Sequence, residues 1–94
     1  MLIYVHMLND IIQIEAGEGN QNLLWLSHAS ISLYVALKKG SVELSDLNAI
    51  GNPVSINMQE GDELDFKAII KDTLEHEMHV WLVVDIIANA RVQE

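Results

Sequence analysis

The sequence predicts an all-β domain, a small antiparallel β-sandwich or barrel of about seven or eight strands. Apolar and polar side chains alternate with a period of two along most of the 94 residues, which is typical of half-buried strands. Turn-forming Gly, Asn, Asp and Pro interrupt this alternation at short intervals, as they do in sandwiches and barrels. The alternative is an α+β domain in which residues 23–39 form one helix on a sheet.

The first hairpin is predicted from residues 2–8 and 11–16, which flank Asn9-Asp10. Asn and Asp both tolerate positive φ, so a two-residue turn fits there. This turn predicts three pairs on one apolar face: Met7 with Ile12, Val5 with Ile14, and Ile3 with Ala16. Tyr4 and His6 then lie on the opposite, mixed face.

Residues 23–39 are compatible with two structures. As a helix, this segment has an imperfect apolar stripe that includes a serine. As a strand, residues 29–38 alternate without exception, and a Lys-Gly turn would pair them with residues 41–45, apolar on apolar. We therefore expect strands at 29–38 and 41–45, with residues 23–26 as a short strand or an extended entry.

The remaining chain predicts three further strands separated by turns. The connection at 47–53 ends in the single proline, which favours an extended Asn52. A turn at 59–63 has Gly61 at its tip. The predicted strands are 54–58, 64–70 and 78–88.

Residues 1–16 resemble the first hairpin of ubiquitin-like β-grasp domains, in having a strand, a tight turn and a strand. A β-grasp domain continues with a helix. The resemblance therefore implies that the α+β alternative is β-grasp-like, with the helix at 23–39. The final residues, 90–94, lack the paired glycines that ubiquitin-like proteins use for conjugation.

The composition indicates a single acidic domain over residues 1–94. Fourteen Asp and Glu against five Lys and Arg give a net charge of −9, which argues against direct binding to a nucleic-acid backbone. There is no Cys, so disulfides and thiolate sites are excluded. We find no signal peptide and no transmembrane segment in the sequence, and we expect a cytoplasmic protein without a membrane partner.

No motif predicts an enzyme, a cofactor or a metal site. His76 and His79 are spaced i, i+3, but in a strand this spacing points two side chains to opposite faces. Asp85 lies in an apolar strand, where a structural role is expected rather than a catalytic one. The glycine-containing loops lack the spacing and the lysine of phosphate-binding loops. We therefore predict a non-enzymatic protein, without catalytic, cofactor-binding or metal-ligating residues.

The strand at 78–88 is apolar on both of its faces, which a half-exposed strand should not be. Trp often anchors protein interfaces. We therefore predict a protein-interaction or assembly module that self-associates as a homo-oligomer through a β-surface. The candidate interaction residues are Trp81, Val83, Ile87, His79, Tyr4 and Tyr34, with His6 on the same outward side as Tyr4.

Two other functions fit the same sequence. The first is a small acidic inhibitor or decoy, of the kind that viruses or mobile elements encode, which binds a basic nucleic-acid-handling protein. Its candidate acidic surface consists of Glu60, Asp62, Glu63, Asp65, Asp72, Glu75 and Glu77. The second is a ligand- or carbohydrate-binding β-sandwich that uses exposed aromatic rings as stacking platforms.

Overall fold

A computed structural model describes residues 1–38 and 50–86, which form a five-stranded mixed sheet and two helices. In chain order the elements are β1 (Leu2–Met7), β2 (Asp10–Glu15), α1 (Leu23–Lys38), β3 (Ile50–Asn57), β4 (Glu63–Leu64), α2 (Ile70–Thr73) and β5 (Met78–Ile86). The chain is sheet-rich, as predicted. It is an α+β domain, however, rather than the predicted all-β sandwich or barrel.

The strands lie in the order β2-β1-β5-β3-β4. The two central strands, β1 and β5, are parallel, whereas the other neighbours are antiparallel. The last strand of the described chain therefore lies directly beside the first. Residues more than 70 positions apart in sequence become neighbours in the middle of the sheet.

The core lies between α1 and one face of the sheet, which we call the inner face. Alternate residues of each long strand point to this face, and α1 contributes Leu23 and Leu26. Full burial of one such aliphatic side chain stabilises the fold by roughly 1.5–3 kcal/mol. The buried strand residues are Ile3, Val5, Met7, Ile12, Ile14, Ile56, Val80, Leu82 and Val84.

Helix α1 replaces the strand predicted at 29–38, and it also includes the segment predicted as an extended entry at 23–26. Its N-terminus is capped, because the Trp25 N–H donates to the Asn22 side-chain oxygen at 2.8 Å. The predicted partner strand at 41–45 lies outside the described residues. The helix alternative for this segment is therefore the one that the structure confirms.

The buried side of α1 contains two serines, and this is why its stripe looks imperfect in the sequence. Ser27 and Ser30 are both fully buried. The Ser27 hydroxyl donates to the Leu23 carbonyl at 2.9 Å, and the Ser30 hydroxyl to the Leu26 carbonyl at 2.7 Å. Because each hydroxyl donates its hydrogen bond within the helix, burial of these serines leaves no unpaired donor. Serine can therefore occupy the core where a small side chain is needed.

The first hairpin forms, but its register differs from the predicted one by two residues. Met7 pairs with Asp10 and Val5 with Ile12, so the turn residues are Leu8 and Asn9 rather than Asn9 and Asp10. Leu8 takes the positive φ of the turn, 54°. A slip of two residues keeps every side chain on its original face, so the predicted faces of both strands are confirmed.

The second half of the chain follows the prediction at β5 and departs from it at β4. The predicted turn with Gly61 at its tip is present, with a φ of 97° at this glycine. The strand predicted at 64–70 is wrong, since β4 contains two residues and α2 follows it. Strand β3 begins before the prediction, at Ile50, and it includes Pro53 at a register irregularity, where a missing N–H is tolerated.

Candidate functional site

The face of the sheet opposite α1, which we call the outer face, carries four rings on its two central strands. The parallel register places Tyr4 beside His79, and His6 beside Trp81. Their neighbours in each strand, such as Val5 and Val80, point inward to the core. The alternation of β1 and β5 therefore brings the rings together in the middle of the outer face. We call Tyr4, His6, His79 and Trp81 the ring cluster.

The rings of this cluster are in direct contact. Tyr4 stacks on His79 with a centroid distance of 4.7 Å, and His6 stacks on Trp81 at 4.2 Å. The two imidazoles are tilted by 47° to each other, with centroids 5.0 Å apart. One face of each ring is thus covered by a neighbouring ring, and this contact restricts the orientation of both histidines.

The two histidines also meet through their nitrogens. Nε2 of His6 and Nδ1 of His79 are 2.8 Å apart, a hydrogen-bond distance in which one nitrogen donates and the other accepts according to the tautomer. Two effects lower the pKa of His6 below its usual value of 6.5. The larger is burial of its ring, and the smaller is the charge of the neighbouring His79. The neutral form of His6 is therefore favoured.

Apolar side chains and a shallow depression border the ring cluster on one side. Leu8, Ile11 and Val83 are 48%, 54% and 47% exposed, which is high for large apolar residues. With His6, Asp10 and Trp81 they line a half-open depression of about 400 Å³ beside the β1–β2 turn. The outer face therefore offers a mixed aromatic and apolar surface to solvent.

The structure brings together most of the predicted interaction residues. Tyr4, His79, Trp81 and Val83 all lie on the outer face. Tyr34 does not, because residues 29–38 are helical and its ring packs against the core on the other side of the sheet. Ile87 lies outside the described residues.

Sequence reasoning missed the contact between His6 and His79. It depends on the parallel pairing of β1 with β5, which joins residues 73 positions apart, and the sequence does not reveal which strands pair. The available signal was the pattern itself, since each strand carries two ring-bearing residues spaced i, i+2, namely Tyr4 with His6 and His79 with Trp81.

His76 and His79, by contrast, are engaged separately. Nδ1 of His76 accepts the Leu2 N–H at 3.0 Å, and its Nε2 lies 3.6 Å from a Glu77 carboxylate oxygen. His79 belongs to the ring cluster. Within residues 1–38 and 50–86, no three His, Cys, Asp or Glu side chains are grouped as metal ligands.

Asp85, the carboxylate within the apolar sequence of β5, is exposed at the outer face.

Most of the predicted acidic residues gather at one end of the sheet, where β1 and β5 begin. The β3–β4 turn reaches this end, and so does the connection into β5, whose Glu77 N–H donates to the Leu2 carbonyl. Helix α2 lies there as well, because the Lys71 N–H donates to the Gly19 carbonyl. We call this the acidic end. Its predicted members are Glu60, Asp62, Glu63, Asp72, Glu75 and Glu77, all exposed.

The seventh predicted acidic residue, Asp65, follows β4. Its carboxylate accepts the Lys67 N–H at 2.9 Å and so stabilises the turn after that strand. Asp65 is therefore part of a local turn, although it is exposed like the other six.

No family model matches the chain, and no curated protein is significantly similar to it in sequence. Neither helix in the described part of the chain has the length and the apolar character needed to cross a bilayer. The geometry of the outer face and of the acidic end is therefore the basis for any functional proposal.

Proposed function

We propose that this protein is a non-enzymatic interaction module that self-associates through the outer face of its sheet. The observation that carries the proposal is the ring cluster at the centre of that face, bordered by the exposed Leu8, Ile11 and Val83. Exposed aromatic and apolar groups in one patch are typical of protein interfaces. Within the described residues, α1 packs on the inner face only.

The charge distribution supports a second copy as the partner. The centre of the outer face carries rings and amides, with Asn57 beside Trp81 and Gln13 beside Tyr4, whereas acidic residues gather at one end. In a face-to-face dimer whose two-fold axis crosses the strands, the two acidic ends lie at opposite poles. The two acidic ends are then far apart while the central surfaces meet, and the exposed Asp85 lies away from the centre, near the far end of β5.

An open sheet face is a poor setting for catalysis, and this supports the non-enzymatic part of the proposal. Active sites are commonly concave and exclude water, so that electrostatic groups act strongly on the substrate. The depression beside the ring cluster is half-open, and its lining is mainly apolar.

We further infer that the fold is of the β-grasp type. The strand order β2-β1-β5-β3-β4, the parallel pairing of β1 with β5 and the position of helix α1 after the first hairpin support this assignment. The fold by itself does not specify a function, so it adds nothing to the choice of partner.

The self-association proposal is tested by sedimentation of the full chain in buffer that contains EDTA. We expect a dimer at micromolar concentration that the Trp81→Ser and Val83→Glu substitutions convert to monomer. Trp25→Ser and Leu37→Glu are the matched controls, because these two residues are exposed on α1 and their substitution leaves the dimer intact. A monomer at all concentrations, or equal effects of both pairs of substitutions, contradicts the proposal.

The acidic end favours a second candidate function, which is the binding of a basic protein. Six exposed carboxylates at one end of the sheet form a negative surface, and such a surface accelerates encounter with a positive one. An arginine-rich peptide is a suitable probe. We expect Glu60→Gln to weaken its binding more than Asp85→Asn, which carries the same net charge but changes a carboxylate near the far end of β5. Equal weakening by the two variants would indicate a nonspecific charge effect.

The ring cluster gives less support to the third candidate, carbohydrate binding. A sugar ring packs on an open aromatic face. In this cluster, one face of Tyr4 is covered by His79, and one face of Trp81 by His6.

A further inference from the structure

We propose that His6 and His79 form one half of a divalent transition-metal site, which the same two residues of a second copy complete. The inference deepens the proposed self-association and rests on it. Its basis is the approach of two imidazole nitrogens to 2.8 Å on an exposed face, in the middle of the surface proposed to meet a second chain.

The distance between these nitrogens is close to what a shared metal ion requires. Zinc binds histidine nitrogen at about 2.0–2.1 Å, so two ligands of a tetrahedral ion are about 3.3 Å apart. The observed separation of 2.8 Å reaches that value with a small rotation of either ring. The metal replaces one hydrogen bond between the rings, a bond whose net contribution on a surface is only about 1 kcal/mol.

The rings are already held in place for such a site. His6 is stacked on Trp81 and His79 on Tyr4, so binding restricts little additional side-chain motion. Ligands that are oriented by their surroundings bind metal more tightly than mobile ones. Imidazole nitrogen selects zinc, copper and nickel over calcium and magnesium, which prefer oxygen.

One chain supplies only part of the coordination sphere. Among the described residues, no third His, Cys, Asp or Glu joins the pair, whereas a closed zinc site has four ligands. A tetrahedron has two-fold axes that exchange its ligands in pairs. A symmetric dimer therefore supplies two histidines from each copy to one ion on its axis.

The position of the pair suits this arrangement. Strands β1 and β5 are the second and third of five strands, so the histidines lie near the centre of the outer face and not at an edge. A dication at this centre also offsets part of the repulsion between two chains that each carry a net charge of −9.

The experiment titrates ZnCl₂ into the full, untagged chain by calorimetry and follows sedimentation with zinc or with EDTA. We expect one zinc ion per two chains and a dimer that is roughly tenfold or more tighter in zinc. His6→Asn and His79→Asn each remove the zinc effect. His28→Asn leaves it unchanged, because His28 is exposed on α1. Circular dichroism checks that the variants remain folded.

The outcomes separate this inference from the proposed function. A dimer in EDTA that does not respond to zinc leaves the self-association proposal standing and overturns the metal site. Binding of one zinc per chain without tighter association overturns completion by a second copy. Zinc binding that His28→Asn weakens as much as His79→Asn overturns the assignment of the ligands. A chain that is monomeric and binds no zinc overturns both proposals.

Discussion

At the scale of single residues, the N-terminal amino group closes the open end of the first hairpin. It donates to a Glu15 carboxylate oxygen and to the Gly17 carbonyl, each at 2.6 Å. The same Glu15 oxygen accepts the Gly17 N–H at 3.0 Å. Both hydrogen bonds lower the pKa of the Glu15 carboxyl below its usual value of 4.5. The bond from the amino group has the larger effect, and the bond from the Gly17 N–H has the smaller one.

This lowered pKa predicts a pH-dependent contribution to stability. Because the pKa is lower in the folded than in the unfolded chain, the stabilisation is present above pH 4.5 and is lost as the pH falls through the folded-state value. We expect Glu15→Gln to lower the melting temperature slightly at pH 7, with a smaller difference from the parent chain below pH 4.5.

Thermal unfolding between neutral and acidic pH measures this effect. Glu18→Gln is the control, since Glu18 is exposed in the loop after β2 and its carboxylate accepts the Asn20 side-chain N–H. A Glu15→Gln difference that is the same at both ends of the pH range would contradict the interpretation. The chain must keep its free N-terminus for this test.

At the scale of elements, α1 decides the architecture, and its buried serines explain why the sequence suggested a strand. Leu23, Leu26, Ser27 and Ser30 follow helical spacing and are all fully buried, but two of the four are polar. The same segment alternates over 29–38 because its apolar residues lie on several sides of the helix. Local periodicity therefore favoured the wrong element, and packing against the sheet decided the right one.

The buried serines predict two opposite effects of substitution at Ser27. Ser27→Ala changes the free energy of unfolding by no more than about 1 kcal/mol, because the Leu23 carbonyl that accepts the Ser27 hydroxyl is also the i−4 acceptor of the Ser27 N–H in helix α1. Ser27→Leu adds volume to a closed contact between helix and sheet and destabilises the fold by about 1–3 kcal/mol.

Urea denaturation of both variants measures these free energies. Ser32→Leu is the matched control, since Ser32 is exposed on the same helix and we expect a change within about 0.5 kcal/mol. If Ser27→Leu were as mild as Ser32→Leu, then α1 would not pack closely on the sheet at this position.

At the scale of the whole molecule, charge and apolar surface occupy different places. Six of the predicted acidic residues lie at the acidic end, whereas the ring cluster lies at the centre of the outer face. The two candidate partners, a second copy and a basic protein, would therefore bind at different surfaces and respond to ionic strength in opposite directions.

This separation predicts a salt dependence that distinguishes the two functions. Two chains of net charge −9 repel each other, and salt screens this repulsion, so self-association in EDTA should tighten between low and high salt. Binding of a basic partner at the acidic end should weaken over the same range. Sedimentation at two salt concentrations provides the test, and a dimer that dissociates at high salt contradicts association through the outer face.

The sequence by itself determined the features that depend on neighbouring residues. Within each strand, alternation separated Tyr4 from Ile3 and Val5, and His79 and Trp81 from Val80 and Leu82, and this assignment holds despite the two-residue slip in the hairpin. It also determined the net charge and located the acidic residues along the chain. These properties follow from side-chain chemistry and the geometry of a strand.

Only the tertiary structure decided which strands are neighbours, where Tyr34 lies and that His6 meets His79. Each of these features depends on contacts between residues far apart in sequence. The free energy of those contacts outweighs the preference of a short segment for helix or strand. The parallel pairing of β1 with β5 creates the ring cluster and gathers the acidic end. Burial of α1 against the inner face turns an alternating segment into a helix, because folding removes more apolar surface from water in this arrangement.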